Sequence, residues 1–237
     1  MKQFGENIWI VEKRFRFAGA DFGNRMTIIR LPSGKLVLHS PISISDNLTK
    51  EINSIGEVAY IVTPNNFHGL FVGEWCSTYP SAKYYSAKEN DSSENIKLSE
   101  SLSSEFEQSI KIVKVNGITK LNEFAFIHKD SSTLILTDLA FNFDSGVSLW
   151  SKVFFKINDC YERFGPSKLM KSFIDSPDDL LSSINEISEQ DFTRIIVSHG
   201  NTINENAKEV FCFAFSEKMI VSRKKKVKTK LKFASCG

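Results

Sequence analysis

The chain opens on short apolar runs of the length and spacing that suit strands. Asn7 to Val11 carries Ile8, Trp9 and Ile10, and the runs Arg25 to Leu31 and Lys35 to Leu38 flank Pro32-Ser33-Gly34, which predicts a hairpin closed by that turn. The spacing of apolar positions then becomes helical. Asp46-Asn47-Leu48 offers an N-cap, Leu48, Ile52 and Ile55 share one face, and Gly56 stands where a left-handed residue would end the helix. Val58 to Val62 reads as a buried strand. A strand, helix and strand of this length predict a parallel pair joined by a right-handed crossover.

Leu70, Phe71, Glu74 and Trp75 then suggest a short helix ending before Pro80, and Ala82 to Ser86 is short and strand-like. Asn90 to Ser104 is rich in Ser, Asn and Glu and reads as an exposed connection. Three strands are expected at Ile110 to Val115, Glu123 to His128 and Ser132 to Thr137, the last two joined by Lys129-Asp130-Ser131. Leu149, Val153, Phe154 and Ile157 are spaced for a helix stopping at Gly165-Pro166, and Ser176-Pro177-Asp178-Asp179 starts another, whose face is Leu180, Leu181, Ile184 and Ile187. Arg194 to Val197 is a buried strand ending in Ser198-His199-Gly200, and a last helix holds Ala207, Val210, Phe211 and Ala214. Both halves mix strands and helices, so the expected class is α/β, with sheets packed between helices.

At 237 residues, 41% hydrophobic and 24% charged, the chain can bury one large core, which excludes disordered and disulfide-scaffold classes. The formal charge of +2 hides an asymmetry. Arg223 to Lys232 holds seven basic residues and no acid, leaving the rest of the chain net acidic by five. By length the body over 1–222 is one large domain or two small ones, followed by a basic C-terminal strand or tail over 223–237. Residues 223–232 admit binding to nucleic acid or an anionic surface, with a solvated tail as the plain alternative. No apolar run spans a membrane and the start lacks a signal-like core, so a cytoplasmic location is expected. Cys76, Cys160, Cys212 and Cys236 are scattered without a Cys-x-x-Cys pair and are expected to be buried free thiols.

Histidines carry the candidate chemistry. His39 and His199 directly follow or end apolar strands, His68 lies in the loop Thr63-Pro64-Asn65-Asn66-Phe67 beyond another, and Asp138 ends Leu134-Ile135-Leu136-Thr137. Strand ends are where layered α/β proteins assemble sites, because loops converge there without disturbing the core. His128 precedes the turn leading into the Asp138 strand and belongs at the opposite end of that hairpin, roughly 15 Å away at strand rise. Asn65-Asn66 either polarises a substrate carbonyl or caps the following helix. Glycine-rich phosphate loops and Gly-x-Ser-x-Gly are missing from the sequence.

Arg25-Met26-Thr27, Leu38-His39-Ser40-Pro41, Val62 to His68, Thr133 to Asp138 with Asn142, and Ser198-His199-Gly200 together resemble the metallo-β-lactamase superfamily, in particular an uncharacterised branch described as a domain of unknown function. The resemblance runs from Asn7 to the His199 loop and implies a four-layer αββα sandwich with mixed sheets, hence one domain over 1–222. The superfamily binds one or two metals through a His-x-His-x-Asp-His loop, a later histidine, a bridging aspartate and a final histidine. Aligned from Thr63, the first two histidine positions hold Pro64 and Asn66, the aspartate position holds His68, and the last histidine position holds Gly69. Asp138 matches the bridging aspartate and His199 the final histidine, while the middle histidine falls near Gly117 to Lys120, where no ligand side chain exists. His39-Ser40 stands at the family's Asp-Thr-Gly loop.

What the resemblance implies is a hydrolase with a degenerate, single-metal site: one zinc, or iron or manganese, held by His68, Asp138 and His199, which are also the catalytic candidates, with His39 as a fourth ligand or an orienting group. The alternative is a metal-free, non-catalytic descendant in which the same groups form a hydrogen-bonded cluster and the pocket binds a small molecule or a partner. Substrate and oligomeric state are not readable, since fold does not dictate chemistry.

Overall fold

A computed structural model describes residues 1–88, 96–98 and 104–216; the basic run over 223–232 and Cys236 lie outside them. Strand β1 (Lys2–Gly5) turns through Asn7, whose φ of 56° suits an asparagine, into β2 (Ile8–Lys13). A small pair, β3 (Arg16–Phe17) and β4 (Ala20–Asp21), precedes the expected hairpin of β5 (Asn24–Arg30) and β6 (Lys35–His39). Helix α1 (Asp46–Asn53) then crosses to β7 (Glu57–Thr63), which pairs parallel with β6, and α2 (Val72–Thr78) leads to β8 (Lys83–Ser86), β9 (Ile96–Lys97) and α3 (Ser104–Ser109).

The second half supplies β10 (Ile110–Lys114), β11 (Phe124–His128), β12 (Thr133–Leu136), β13 (Phe141–Phe143), α4 (Leu149–Ile157), β14 (Arg163–Gly165), α5 (Lys168–Ser172), α6 (Pro177–Ser188), β15 (Arg194–Val197) and α7 (Ala207–Ala214). One sheet has the order β1-β2-β5-β6-β7-β8-β9 and the other β10-β11-β12-β15, each mixing parallel and antiparallel pairs.

Strand alternation explains the layering. Ile8, Ile10, Val37, Tyr60 and Val62 of the first sheet meet Phe124, Phe126, Ile135 and Ile196 of the second in a shared inner core. The residues between them face outward: Met26, Ile28, Leu36 and Leu38 pack with Leu48 and Ile52 of α1 and Trp75 of α2. On the far side, Leu134, Leu136, Ile195 and Val197 pack with Leu180, Ile184 and Ile187 of α6 and Phe211 of α7. The result is the expected α/β architecture, a four-layer αββα sandwich with strands from both halves. A register shift at Leu36/Val37, where Val37 pairs with Tyr60, keeps both strands' inward residues in phase.

Several local expectations are corrected. The N-cap of α1 is Ser45, and Gly56 does not adopt the left-handed conformation; a Cβ there would lie 2.3 Å from the carbonyl oxygen of Gly34, so close approach of the neighbouring turn requires the glycine. Helix α4 ends at Ile157 instead of running to Gly165, because Asp159 and Glu162 both turn to positive φ and the chain returns as β14 against β13. That return is held by aromatic packing, with Phe143 stacked on Phe155 at 3.7 Å between ring centroids. Cys160 is buried and Cys76 half-buried as thiols, but Cys212 is exposed, since α7 turns Ala207, Phe211 and Ala214 inward instead.

Candidate metal centre

The two sheets bring their strand ends to one place. In the parallel pairing of β12 with β15, Leu136 is opposite Val197, so Asp138 and His199 each lie two residues beyond the same rung. His68 arrives from the other sheet, in the loop after β7. Its Nε2 lies 3.2 Å from Asp138 Oδ2, and His199 Nε2 lies 3.4 Å from Oδ1, so two imidazoles face the two oxygens of one carboxylate.

Each ring is held from behind. His199 Nδ1 donates to the carbonyl oxygen of Gly23 at 2.7 Å, which leaves Nε2 to face the carboxylate. Phe141 stacks on the ring and Phe22 meets it edge-on. His68 Nδ1 is 2.6 Å from Ser40 Oγ. The segment carrying His199 is clamped by Arg25, a buried guanidinium donating to the carbonyl oxygens of Val197 and Gly200 while paired with Glu12. Gly200 has φ +91° and a Cβ there would lie 2.2 Å from the Asn142 carbonyl oxygen, so only glycine permits this approach.

Asp138 is pinned from below by two residues. Glu123, fully buried, accepts the backbone N–H groups of Thr137, Asp138 and Leu139 at 2.8, 2.8 and 3.0 Å. Asn65, also buried, accepts from the N–H groups of Phe67 and His68 and donates to Asp138 Oδ2 at 2.9 Å and to Glu123 Oε2 at 3.2 Å. Asn65 therefore does not cap the following helix, whose N-cap is Phe71 without a side-chain bond; its amide instead closes the His68 loop on itself and ties it to Asp138. Glu123 and Arg25 read in the sequence as ordinary strand residues, and no local spacing marks them.

Burial opposes the anion of Asp138, but His68 and His199 outweigh it and hold the carboxyl well below its usual range. Burial likewise opposes the cation of His68, and Asp138 overcomes it and raises the imidazole above its ordinary value. Glu123 is pushed up by burial and by the neighbouring Asp138 charge, against the pull of the Thr137 and Asn65 donors.

His39 lies apart from these three residues. It extends from β6 into the inner core against Phe126, at 4.6 Å between centroids, and neither ring nitrogen has a hydrogen-bond partner. Burial, and then the nearby His68, lower its pKa to about 3. The neighbouring Ser40 makes the orienting contact instead. His128 sits opposite Thr133 beside the far turn, bonded to Ser131, away from the site as expected.

The donor set fits one small divalent cation. A ligand atom from each of His68, Asp138 and His199 lies within 4.8 Å of the others. Both carboxylate oxygens are engaged, Oδ2 with His68 Nε2 at 3.2 Å and Oδ1 with His199 Nε2 at 3.4 Å, and imidazole nitrogen and carboxylate oxygen are the donor types that zinc takes. A cavity of about 460 Å³ opens over the three residues, lined by eight phenylalanines.

The model of a family described as a domain of unknown function (DUF4336) matches residues 5–112. A search of curated proteins finds no match. Among solved structures, a metallo-β-lactamase from Pontibacter korlensis is similar at 10% identity and TM-score 0.62, over 94% of this chain and 98% of that chain. The mono-zinc form of the metallo-β-lactamase FIM-1 from Pseudomonas aeruginosa is similar at 10% identity and TM-score 0.60, over 92% and 95%. A putative diflavin flavoprotein A 5 fragment from Nostoc sp. PCC 7120 is similar at 10% identity and TM-score 0.62, over 93% and 96%. The fold is that of the metallo-β-lactamases; at these identities the likeness is one of architecture.

Two predictions follow from the geometry. Glu123→Gln sets an amide N–H₂ against backbone donors and is expected to cost about 3 kcal/mol in urea unfolding; an unchanged midpoint contradicts the pinning role. Because the fold favours neutral His39, its contribution to stability is complete above the ordinary pKa of 6.5 and is lost as pH falls toward about 3. His39→Leu is expected to flatten the stability–pH curve across that window, by up to about 1.4 kcal/mol per pH unit; parallel curves for the two proteins contradict this assignment.

Proposed function

We propose that this protein is a hydrolase using one divalent metal, held by His68, Asp138 and His199. The observation that carries this reading is the approach of two imidazole Nε2 atoms to opposite oxygens of one carboxylate on the floor of an apolar cavity, with one imidazole's Nδ1 already committed to the Gly23 carbonyl. Two imidazoles and a carboxylate suit zinc, iron or manganese, and three protein ligands leave a position for water or substrate. The comparison supports a one-metal arrangement to the extent that FIM-1 is described in a mono-zinc form.

A cation in this position would supply Lewis acidity to the bond under attack. The protein's own groups do the rest. Asn65 and Glu123 keep Asp138 from rotating, Gly23 and Phe141 hold His199, and Ser40 gives the outer nitrogen of His68 a hydroxyl with which to exchange a proton. The phenylalanine walls limit water at the reacting centre, which strengthens every charge interaction there.

A second reading, a metal-free binding protein, is favoured by one specific feature. His68, His199 and Asn65 already surround Asp138 at hydrogen-bonding distances, so the cluster can close as charged and neutral pairs without an ion. Pro64, Asn66 and Gly69 stand at the other ligand positions of the loop that the resemblance implies.

Elemental analysis of protein purified without chelator separates the two. The expected result is about one zinc, iron or manganese per chain, lowered roughly tenfold or more in His199→Ala and Asp138→Asn. Less than about a tenth of a metal per chain, unrestored by adding these ions, would rule out the hydrolase and leave the binding protein.

A further inference from the structure

Around the mouth of the cavity stand apolar side chains that are about half-exposed or more. On α4, Leu149, Val153 and Ile157 repeat every four residues, so they form one stripe, and they are 81%, 48% and 63% exposed. Trp150 on the same helix is 55% exposed and donates its indole N–H to the Ala18 carbonyl, which places it beside Phe17 at the cavity edge. At the other end of the helix, Lys168 bonds through its ammonium to the Ile157 carbonyl, and the next residue, the half-exposed Leu169, lines the cavity. Phe67 and Leu70, beyond β7, complete the rim.

This continuous collar is larger than the scattered exposed hydrophobic residues of an ordinary surface, and its composition says what covers it. The segments that build it, residues 14–20, 67–72, 149–157 and 167–173, contain no Asp or Glu but six basic residues: Arg14, Arg16, Lys152, Lys156, Lys168 and Lys171. Asp21 and Asp159, just outside these segments, pair with Arg14 and Lys171, so the face keeps an excess of cations while the chain outside the basic run 223–232 is net acidic. Apolar residues with tryptophan, flanked by cations, match the interface of an anionic lipid surface, where the rings enter the acyl boundary and the cations meet headgroup phosphates.

We propose that the collar seats on an anionic lipid surface and that the ligand of the cavity is an amphiphile, its apolar chain lying among the phenylalanines and its polar group reaching Asp138. Phe17, Phe67, Leu70 and Leu169 belong to both collar and cavity lining, which gives such a molecule an apolar route from lipid to site. What happens to it at the His68–Asp138–His199 cluster rests on the proposed function; the docking does not.

The test is co-sedimentation of the full-length, chelator-treated protein with vesicles of phosphatidylcholine and phosphatidylglycerol. The expected result is binding that weakens by roughly tenfold or more in the Leu149→Asp/Ile157→Asp double variant and falls on pure phosphatidylcholine or at high salt. Both side chains are largely exposed, so thermal melting should not change; should it do so, Val153→Asn alone is expected to weaken binding in the same direction. Both variants retain residues 223–232, so loss of binding reports the collar and not the basic run. Absence of vesicle binding, or binding that the variants retain in full, overturns the proposal. So does a dimer dissociated by the same substitutions, which would assign the collar to a second copy of the chain. Because no metal is needed, vesicle binding without metal uptake retains the docking and removes the hydrolase, and the converse removes only the docking.

Discussion

The site depends on keeping one partly buried carboxylate, Asp138, ionised and unable to rotate. A charge in this position is costly unless it is paired and hydrogen-bonded. Here the compensation comes from the amide of Asn65 and from two imidazoles drawn from different sheets. Glu123 adds a second acid beneath it, which gathers three successive backbone N–H groups and so dictates how the chain leaves β12. Two acids this close repel, and the raised pKa of Glu123 records that repulsion together with its burial. The donors around Glu123 and the imidazoles around Asp138 give the two acids different surroundings, one committed to backbone N–H groups and the other facing the cavity.

The topology follows the same requirement. Only a parallel pair places two strand ends side by side, and β12 and β15 do this with Asp138 and His199 at matching depth. The other sheet delivers His68 from the end of β7, Ser40 from the end of β6, and the Gly23 carbonyl from the start of the antiparallel β5. Arg25 joins the sheets at this edge by reaching from β5 to the carbonyl groups on either side of His199. Four layers with strand ends aligned on one edge thus serve as a frame for three donor atoms.

Much of this was legible in the sequence because it is periodic or punctuated. Strand alternation, the Pro-Ser-Gly turn, the Ser-Pro start of α6 and the strand-end histidines all carry local signals, which point to sheets packed between helices and to His39, His68, Asp138 and His199; the four-layer order and the set of three followed from the family resemblance. What was not legible is tertiary. Glu123 and Arg25 gain their meaning from partners far along the chain, and β13 and β14 are three-residue strands held by phenylalanine packing, too short to show a period. His39 shares the strand-end signal, but the alternation of β6 turns its ring into the inner core, and the next residue, Ser40, with φ +57°, reaches His68.

The account turns on the state of the two imidazoles that face Asp138, and long-range proton–nitrogen correlation spectra of the histidine side chains observe it directly. His199 is expected to carry its proton on Nδ1 at neutral pH, and one equivalent of zinc is expected to shift the Nε2 resonances of His68 and His199 while leaving His39 and His128 unmoved. Protons on both Nε2 atoms, with all four rings indifferent to zinc, would contradict a metal centre built on Asp138.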